Sequence, residues 1–180
     1  DGTSIEGFVV KPVDFEANKK YPTILWIHGG PVSQYEYNYH PISQLFAANG
    51  YVVLLINPRG SSGYGQDFSK AIFADWGSKD FEDVMAGVDY AIKSGYTDPD
   101  RLGVGGWSYG GILTDHVITK TNRFKAAISG ASEALYRSNY GHDQYQNMWE
   151  AELGLPWEHA EAWERISPFN KVANITTPTL

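Results

Sequence analysis

Residues 101–120 read RLGVGGWSYGGILTDHVITK, and their order decides the architecture. Arg101 to Trp107 has the character of a strand and the stretch from about Gly110 to Lys120 that of a helix, so Ser108 falls at a strand-to-helix junction. Gly106-Trp107-Ser108-Tyr109-Gly110-Gly111 contains the pattern G-x-S-x-G. At such a junction a serine is held in a strained turn with its hydroxyl raised above the sheet, and glycines are required where flanking side chains would clash. The helix that follows aims its free N–H groups and the positive end of its dipole at any oxyanion forming there. The N–H of Tyr109 is one such donor. A glycine-rich turn with an incidental serine is the competing reading, and the strand and helix flanks argue against it. Gly103-Val104-Gly105 is not a dinucleotide fingerprint, because the third glycine position falls on Ser108, and no phosphate-binding Gly-Lys-Ser/Thr sequence is present.

Upstream, YPTILWIH (21–28) and YVVLLIN (51–57) are nearly continuous β-branched and aromatic runs closed by Gly or Pro, the pattern of strands buried on both faces. Between them Ile42, Leu45 and Phe46 share a helical face and Gly50 stands where a C-cap is expected. Ser78 to Ser94 is the strongest helix, with Phe81, Val84, Met85, Val88 and Ile92 on one side, Ser78 placed to cap it, acids in its first turn and Gly95 behind it. Asp98-Pro99-Asp100 predicts a turn, and Phe124 to Ser129 another strand. Residues 1–12 alternate like an edge strand. Strands alternating with helices define a doubly wound α/β fold with a mostly parallel sheet. Residues 136–163, aromatic and polar with weak periodicity, read as a helical excursion over the sheet, suited to a lid or pocket wall.

Strand ends on one edge of a parallel sheet converge on the site. His28-Gly29-Gly30-Pro31 closes the first buried strand, so an N–H of Gly29 or Gly30, with Gly30 preferred, can meet that of Tyr109 in a two-donor oxyanion hole. Asn57-Pro58-Arg59-Gly60-Ser61-Ser62-Gly63-Tyr64-Gly65 closes the second, and the fork of Arg59 suits either a carboxylate ligand or the pinning of its own loop. Among 180 residues there are 14 basic and 21 acidic side chains, a net charge of −7, and no basic run, which argues against nucleic-acid and anionic-membrane partners. The absence of cysteine excludes a thiol nucleophile and a thiolate metal site, and no two histidines have H-x-x-x-H spacing, so neither a metal nor a cofactor is expected. Compartment and oligomeric state stay open. Asn174-Ile175-Thr176 is a glycosylation sequon, meaningful only in a secreted eukaryotic protein.

HGGP (28–31), NPRGSSGYG (57–65), GWSYGG (106–111) and SPFNKVANITTPTL (167–180), in this order and spacing, resemble the catalytic domain of the prolyl oligopeptidase family of serine peptidases over essentially the whole chain, most closely its acylaminoacyl-peptidase and dipeptidyl-peptidase branches. The resemblance implies an α/β-hydrolase fold, Ser108 as the acylated nucleophile, and Tyr109 and Gly30 as oxyanion donors. It also implies a β-propeller preceding Asp1 that admits only short peptides, and a primary specificity pocket lined by Tyr136 and Tyr140. His28 stands where the dipeptidyl branch and the prolyl oligopeptidases carry a tyrosine, as in the acylaminoacyl type, which argues against a strict proline-specific dipeptidyl activity.

In this fold the triad runs Ser, Asp, His along the chain. His28 and His40 precede Ser108, His116 lies on the helix leading away from it, and His142 and His159 sit in the excursion with no strand before them. The pair His142-Asp143 consists of helix neighbours that do not face each other. Thr176 to Leu180 reads as the lead-in to another buried strand, after which the resemblance places the triad Asp and His. The start, with neither Met nor signal-like core, reads as an internal cut, so the expectation is a partial catalytic domain lacking its last strands and its general base. A carboxylesterase sharing the same elbow and a non-catalytic binding protein of the same fold are the alternatives.

Overall fold

The computed structural model describes residues 1–141 and 144–180, so the expectation for His142 and its pairing with Asp143 lies outside the described residues. Five strands form one sheet: β1 (Glu6–Val10), β2 (Tyr21–Ile27), β3 (Val52–Asn57), β4 (Thr97–Trp107) and β5 (Ala126–Gly130), in the order β1-β3-β2-β4-β5. Only β1 is antiparallel, paired to β3, while β3, β2, β4 and β5 run parallel. The chain steps from β2 to β3 on one side, then crosses to β4 on the other. The ends of β2 and β4 therefore flank a switch point, where a doubly wound sheet opens a crevice. Residues 178–180 add a sixth position: Ala127 N–H donates to the Pro178 carbonyl, and Leu180 N–H to that of Ala127.

The helices are α1 (Pro41–Ala48), α2 (Gln66–Lys70), α3 (Lys79–Lys93), α4 (Tyr109–Lys120), α5 (Tyr136–Asn139), α6 (Gln146–Leu153) and α7 (Ala160–Arg165), followed by a 3-10 segment at Pro168–Asn174. Helix α4 is buried along nearly its whole length, and Leu113, Val117 and Ile118 are at most 2% exposed. Burying each such side chain contributes about 1.5–3 kcal/mol. The expected excursion is thus three short helices, and it shares the main core through Tyr136, Trp149, Leu153 and Trp163.

Four expectations are corrected. Strand β3 is buried on both faces, but β2 is buried on one only, because its Ile24 and Trp26 border an open apolar hollow of about 400 Å³. Ile42 and Leu45 of α1 face outward, and Ser43 and Ala47 are the buried positions; Phe46 alone of the predicted face packs inward, 5.7 Å from Trp26. Ser78 does not cap α3: its hydroxyl donates to Asp75, and the Asp80 carboxylate accepts the Gly77 N–H. Asp98-Pro99-Asp100 does not precede β4 but bulges from it, because Thr97 pairs with Tyr21 while Leu102 pairs with Thr23.

Arg59 resolves as a pin. Its Nε and Nη2 donate to the two carboxylate oxygens of Asp83 on α3 at 2.8 and 2.7 Å, its backbone N–H donates to Asp83 Oδ2, and Nη1 reaches Asp1 at 2.5 Å. Both partners are buried, so Arg59→Ala leaves a carboxylate without its counter-charge. The expected loss is about 3 kcal/mol, read as a lower urea midpoint at unchanged slope.

His116 on α4 is buried, with Nε2 3.1 Å from the Ile166 carbonyl. Burial, helped by Lys120 and Lys171, lowers its pKa to about 3. Unfolded, the same ring titrates near 6.5, so between these values the unfolded chain binds the extra proton. The stabilisation is present above about pH 6.5 and is lost as pH falls toward 3, at up to about 1.4 kcal/mol per unit. His116→Gln is expected to flatten the pH dependence of the thermal midpoint over that window; an unchanged slope would contradict this.

Candidate active site

Strand β4 ends at Trp107 and α4 begins at Tyr109, leaving Ser108 alone in the turn with φ +58° and ψ −124°. A non-glycine residue at positive φ is strained and persists only where its surroundings hold it. Here the Ser108 N–H donates to the Gly130 carbonyl at the end of β5, and the Ser108 carbonyl accepts from Gly111 and Ile112 to start the helix. The predicted need for glycines has a direct basis. A Cβ on Gly106 would lie 2.6 Å from the carbonyl oxygens of Gly110 and Ile27, and one on Gly110 would lie 2.2 Å from that of Ile27. These contacts let α4 pass tightly over the end of β2 and leave Ser108 exposed at the sheet edge. The N–H of Tyr109 belongs to the first helical turn, whose donors have no intrahelical acceptor.

The loop after β2 meets this turn. Ile27 pairs with Gly106, and a Cβ on Gly29 would stand 3.3 Å from the Trp107 carbonyl oxygen and 3.6 Å from Ser108 Cβ. Gly30 has φ +137°, and a side chain there would press on the Val32 nitrogen at 2.8 Å. Residues whose role was not foreseen hold this loop. His28 Nδ1 is 2.7 Å from the Gly29 carbonyl, so that nitrogen carries a proton and donates, and Nε2 is 3.0 Å from Ser61 Oγ. Burial lowers the His28 pKa and so favours the neutral ring, opposed by the bond to Gly29. The Asn57 side chain accepts the Tyr35 N–H at 2.7 Å and donates to the Tyr35 carbonyl at 3.0 Å, and Ser62 N–H donates to Ser33. The NPRGSSGYG stretch therefore braces the HGGP loop. The adjacency of these motifs at two strand ends was the available signal; which side chain meets which was not encoded in it.

Tyr109 is fully buried, its ring edge-on to Trp76 at 5.2 Å and its hydroxyl 2.6 Å from Asp80 Oδ2. Trp76 joins Tyr136 and Trp149 in one aromatic cluster, which places the fully buried Tyr136 behind the elbow. Tyr140 lies farther out, its hydroxyl donating to Glu150 at 2.6 Å and its ring against Trp157 and Trp163. The described histidines are committed elsewhere: His40 packs on Tyr35, His116 faces Ile166, and His159 packs on Gly154. Among the described residues no group of three or more His, Asp or Glu side chains could hold a metal ion, and no helix is long and apolar enough to cross a membrane.

A mostly parallel sheet bearing a strained, glycine-flanked serine between β4 and α4, with a glycine loop of the neighbouring strand against it, defines the α/β-hydrolase class. The model of the prolyl oligopeptidase family matches residues 37–180, and the chain belongs to that family. It is 43% identical over its whole length to the uncharacterized peptidase YuxL of Bacillus subtilis and 36% identical to dipeptidyl-peptidase 5 of Porphyromonas gingivalis, spanning 28% of the length of each. The acylaminoacyl peptidase of Pyrococcus horikoshii superimposes with a TM-score of 0.92 at 30% identity, covering 99% of this chain and 30% of that one.

Proposed function

We propose that these residues form the nucleophile-bearing part of a serine peptidase catalytic domain acting on short peptides. Ser108 Oγ attacks the scissile carbonyl as a general base takes its proton. The tetrahedral oxyanion rests on the N–H groups of Tyr109 and Gly30, and collapse expels the amine as the base hands it the Ser108 proton. Water then attacks the Ser108 ester, giving its proton to the base, which passes it to Ser108 Oγ as the acid leaves. The observation that carries this reading is the exposed Ser108 at positive φ, with the Gly29-Gly30 loop so near that a side chain on Gly29 would meet Ser108 Cβ at 3.6 Å. Tyr140 belongs to the wall that receives the substrate side chain, and the fully buried Tyr136 backs that wall from the core. The relatives' names, dipeptidyl-peptidase and acylaminoacyl peptidase, support a peptide substrate.

Because each described histidine is engaged away from Ser108, the base and its carboxylate partner are to be sought in the rest of the full-length protein, together with a β-propeller that restricts entry. The 180 residues alone are expected to turn over negligibly, since an unactivated serine hydroxyl is a poor nucleophile. To separate a peptidase from an esterase, the full-length protein is assayed on an aminoacyl-naphthylamide and a p-nitrophenyl ester. Cleavage of both is expected, and cleavage of the ester alone would favour a carboxylesterase.

A further inference from the structure

Asp80 is fully buried in the first turn of α3, and its carboxylate gathers three donors: the Tyr109 hydroxyl at 2.6 Å and the Gly77 N–H at 2.9 Å on Oδ2, and the Phe81 N–H at 3.0 Å on Oδ1. Taking a carboxylate out of water costs several kcal/mol unless its partners compensate, and a Phe with an aliphatic neighbour would fill the same space without that cost. What the polar pair adds is direction. Tyr109 leaves the elbow with its backbone at the first position of α4 and its ring wedged edge-on against Trp76, and the hydroxyl bond fixes the far end of that ring. A side chain held at its far end limits how far the backbone that carries it can shift, and with it the Tyr109 N–H.

We infer that Asp80 is a positioning residue: through the Tyr109 hydroxyl it sets the direction of the Tyr109 N–H and so the geometry of the oxyanion hole. This rests on the Ser108 reading above. Glu152 of α6 extends the brace, accepting from the Trp76 indole N–H and the Ala74 N–H, both at 2.8 Å, so the excursion supports the ring on which Tyr109 leans. Burial raises the pKa of Asp80 while bonds from Tyr109, Gly77 and Phe81 oppose the rise, as for a carboxylate whose ionised form depends on these donors. The hole must be held to within about 0.5 Å, and a displacement of about 1 Å costs about 100-fold in rate.

The test compares Asp80→Ala, Asp80→Asn, Tyr109→Phe and the Asp80→Asn/Tyr109→Phe pair in the full-length protein on an aminoacyl-naphthylamide, with rates expressed per fluorophosphonate-titrated site. Expected are a kcat lower by about 100-fold in Asp80→Ala at nearly unchanged KM, partial rescue in Asp80→Asn, and a double variant no worse than its weaker single. Affinity for a peptidyl trifluoromethyl ketone, whose hemiketal oxyanion occupies the hole, should fall in parallel. If Asp80→Ala does not fold, Asp80→Asn and Tyr109→Phe carry the comparison. A kcat within about twofold of wild type in the folded variants, with only the thermal midpoint lowered, would overturn the inference. Turnover persisting in Ser108→Ala would overturn the serine assignment and this inference together, whereas loss in Ser108→Ala with normal kcat in the Asp80 variants would overturn this inference alone.

Discussion

Ser108→Ala in the full-length protein is expected to lower kcat by about six orders of magnitude on peptide substrates and to leave the fold intact. The size of the effect follows from the role proposed for the hydroxyl: if it is the group that forms the ester, removing it leaves only binding and the two proposed N–H donors to favour the transition state. The fold survives because the positive φ of residue 108 is imposed by the Gly130 carbonyl on its N–H and by the helix start on its carbonyl, both backbone bonds that alanine keeps. Circular dichroism and the thermal midpoint should therefore match wild type while turnover disappears. A variant that loses activity together with its fold would not isolate the hydroxyl, and one that keeps activity would remove Ser108 from the mechanism.

The second large effect belongs to His28. The Gly29–Gly30 peptide is trans, so the Gly29 carbonyl and the Gly30 N–H point in opposite directions. By holding that carbonyl at 2.7 Å, His28 Nδ1 fixes the Gly30 N–H, the second donor of the proposed oxyanion hole, on the opposite side of the peptide. His28→Ala removes this hold and also the contact with Ser61 that ties the loop to the neighbouring strand end. Loss of one oxyanion donor costs about 100- to 1,000-fold in kcat, and that is the expected fall, with KM little changed. Ser61→Ala should produce a smaller change in the same direction, since the bond to Gly29 remains. Unchanged kcat in His28→Ala would mean that backbone contacts alone set the Gly30 N–H.

The parts legible in the sequence are those in which one local pattern has one physical solution. GWSYGG between a strand and a helix reads as an elbow because the turn at Ser108 excludes side chains at positions 106 and 110, where a Cβ would fall within 2.6 Å of neighbouring carbonyl oxygens. The run 52–57, nearly continuous in apolar side chains and so buried on both faces, and the stretch ahead of Gly95, whose helical period repeats over several turns, also have one burial solution each. Less legible was anything decided by a distant partner. Ile42 and Leu45 had the spacing of a buried face, yet the sheet beneath α1 receives Ser43 and Ala47. Ser78 was a reasonable cap until Asp75 took its hydroxyl. His28, Asn57 and Asp80 meet their partners across loops with no periodicity, so their types were visible and their contacts were not. Arg59 lies between these cases: its fork admitted two uses, and only the position of Asp83 on α3 decided for the structural one.

Whether Ser108 is the nucleophile is decided by mapping a covalent adduct. The full-length protein is treated with a fluorophosphonate, digested, and the modified peptide sequenced by mass spectrometry. A single adduct is expected on the Ser108 hydroxyl, absent in Ser108→Ala and formed far more slowly in His28→Ala. An adduct on another residue, or labelling undiminished in Ser108→Ala, would contradict it.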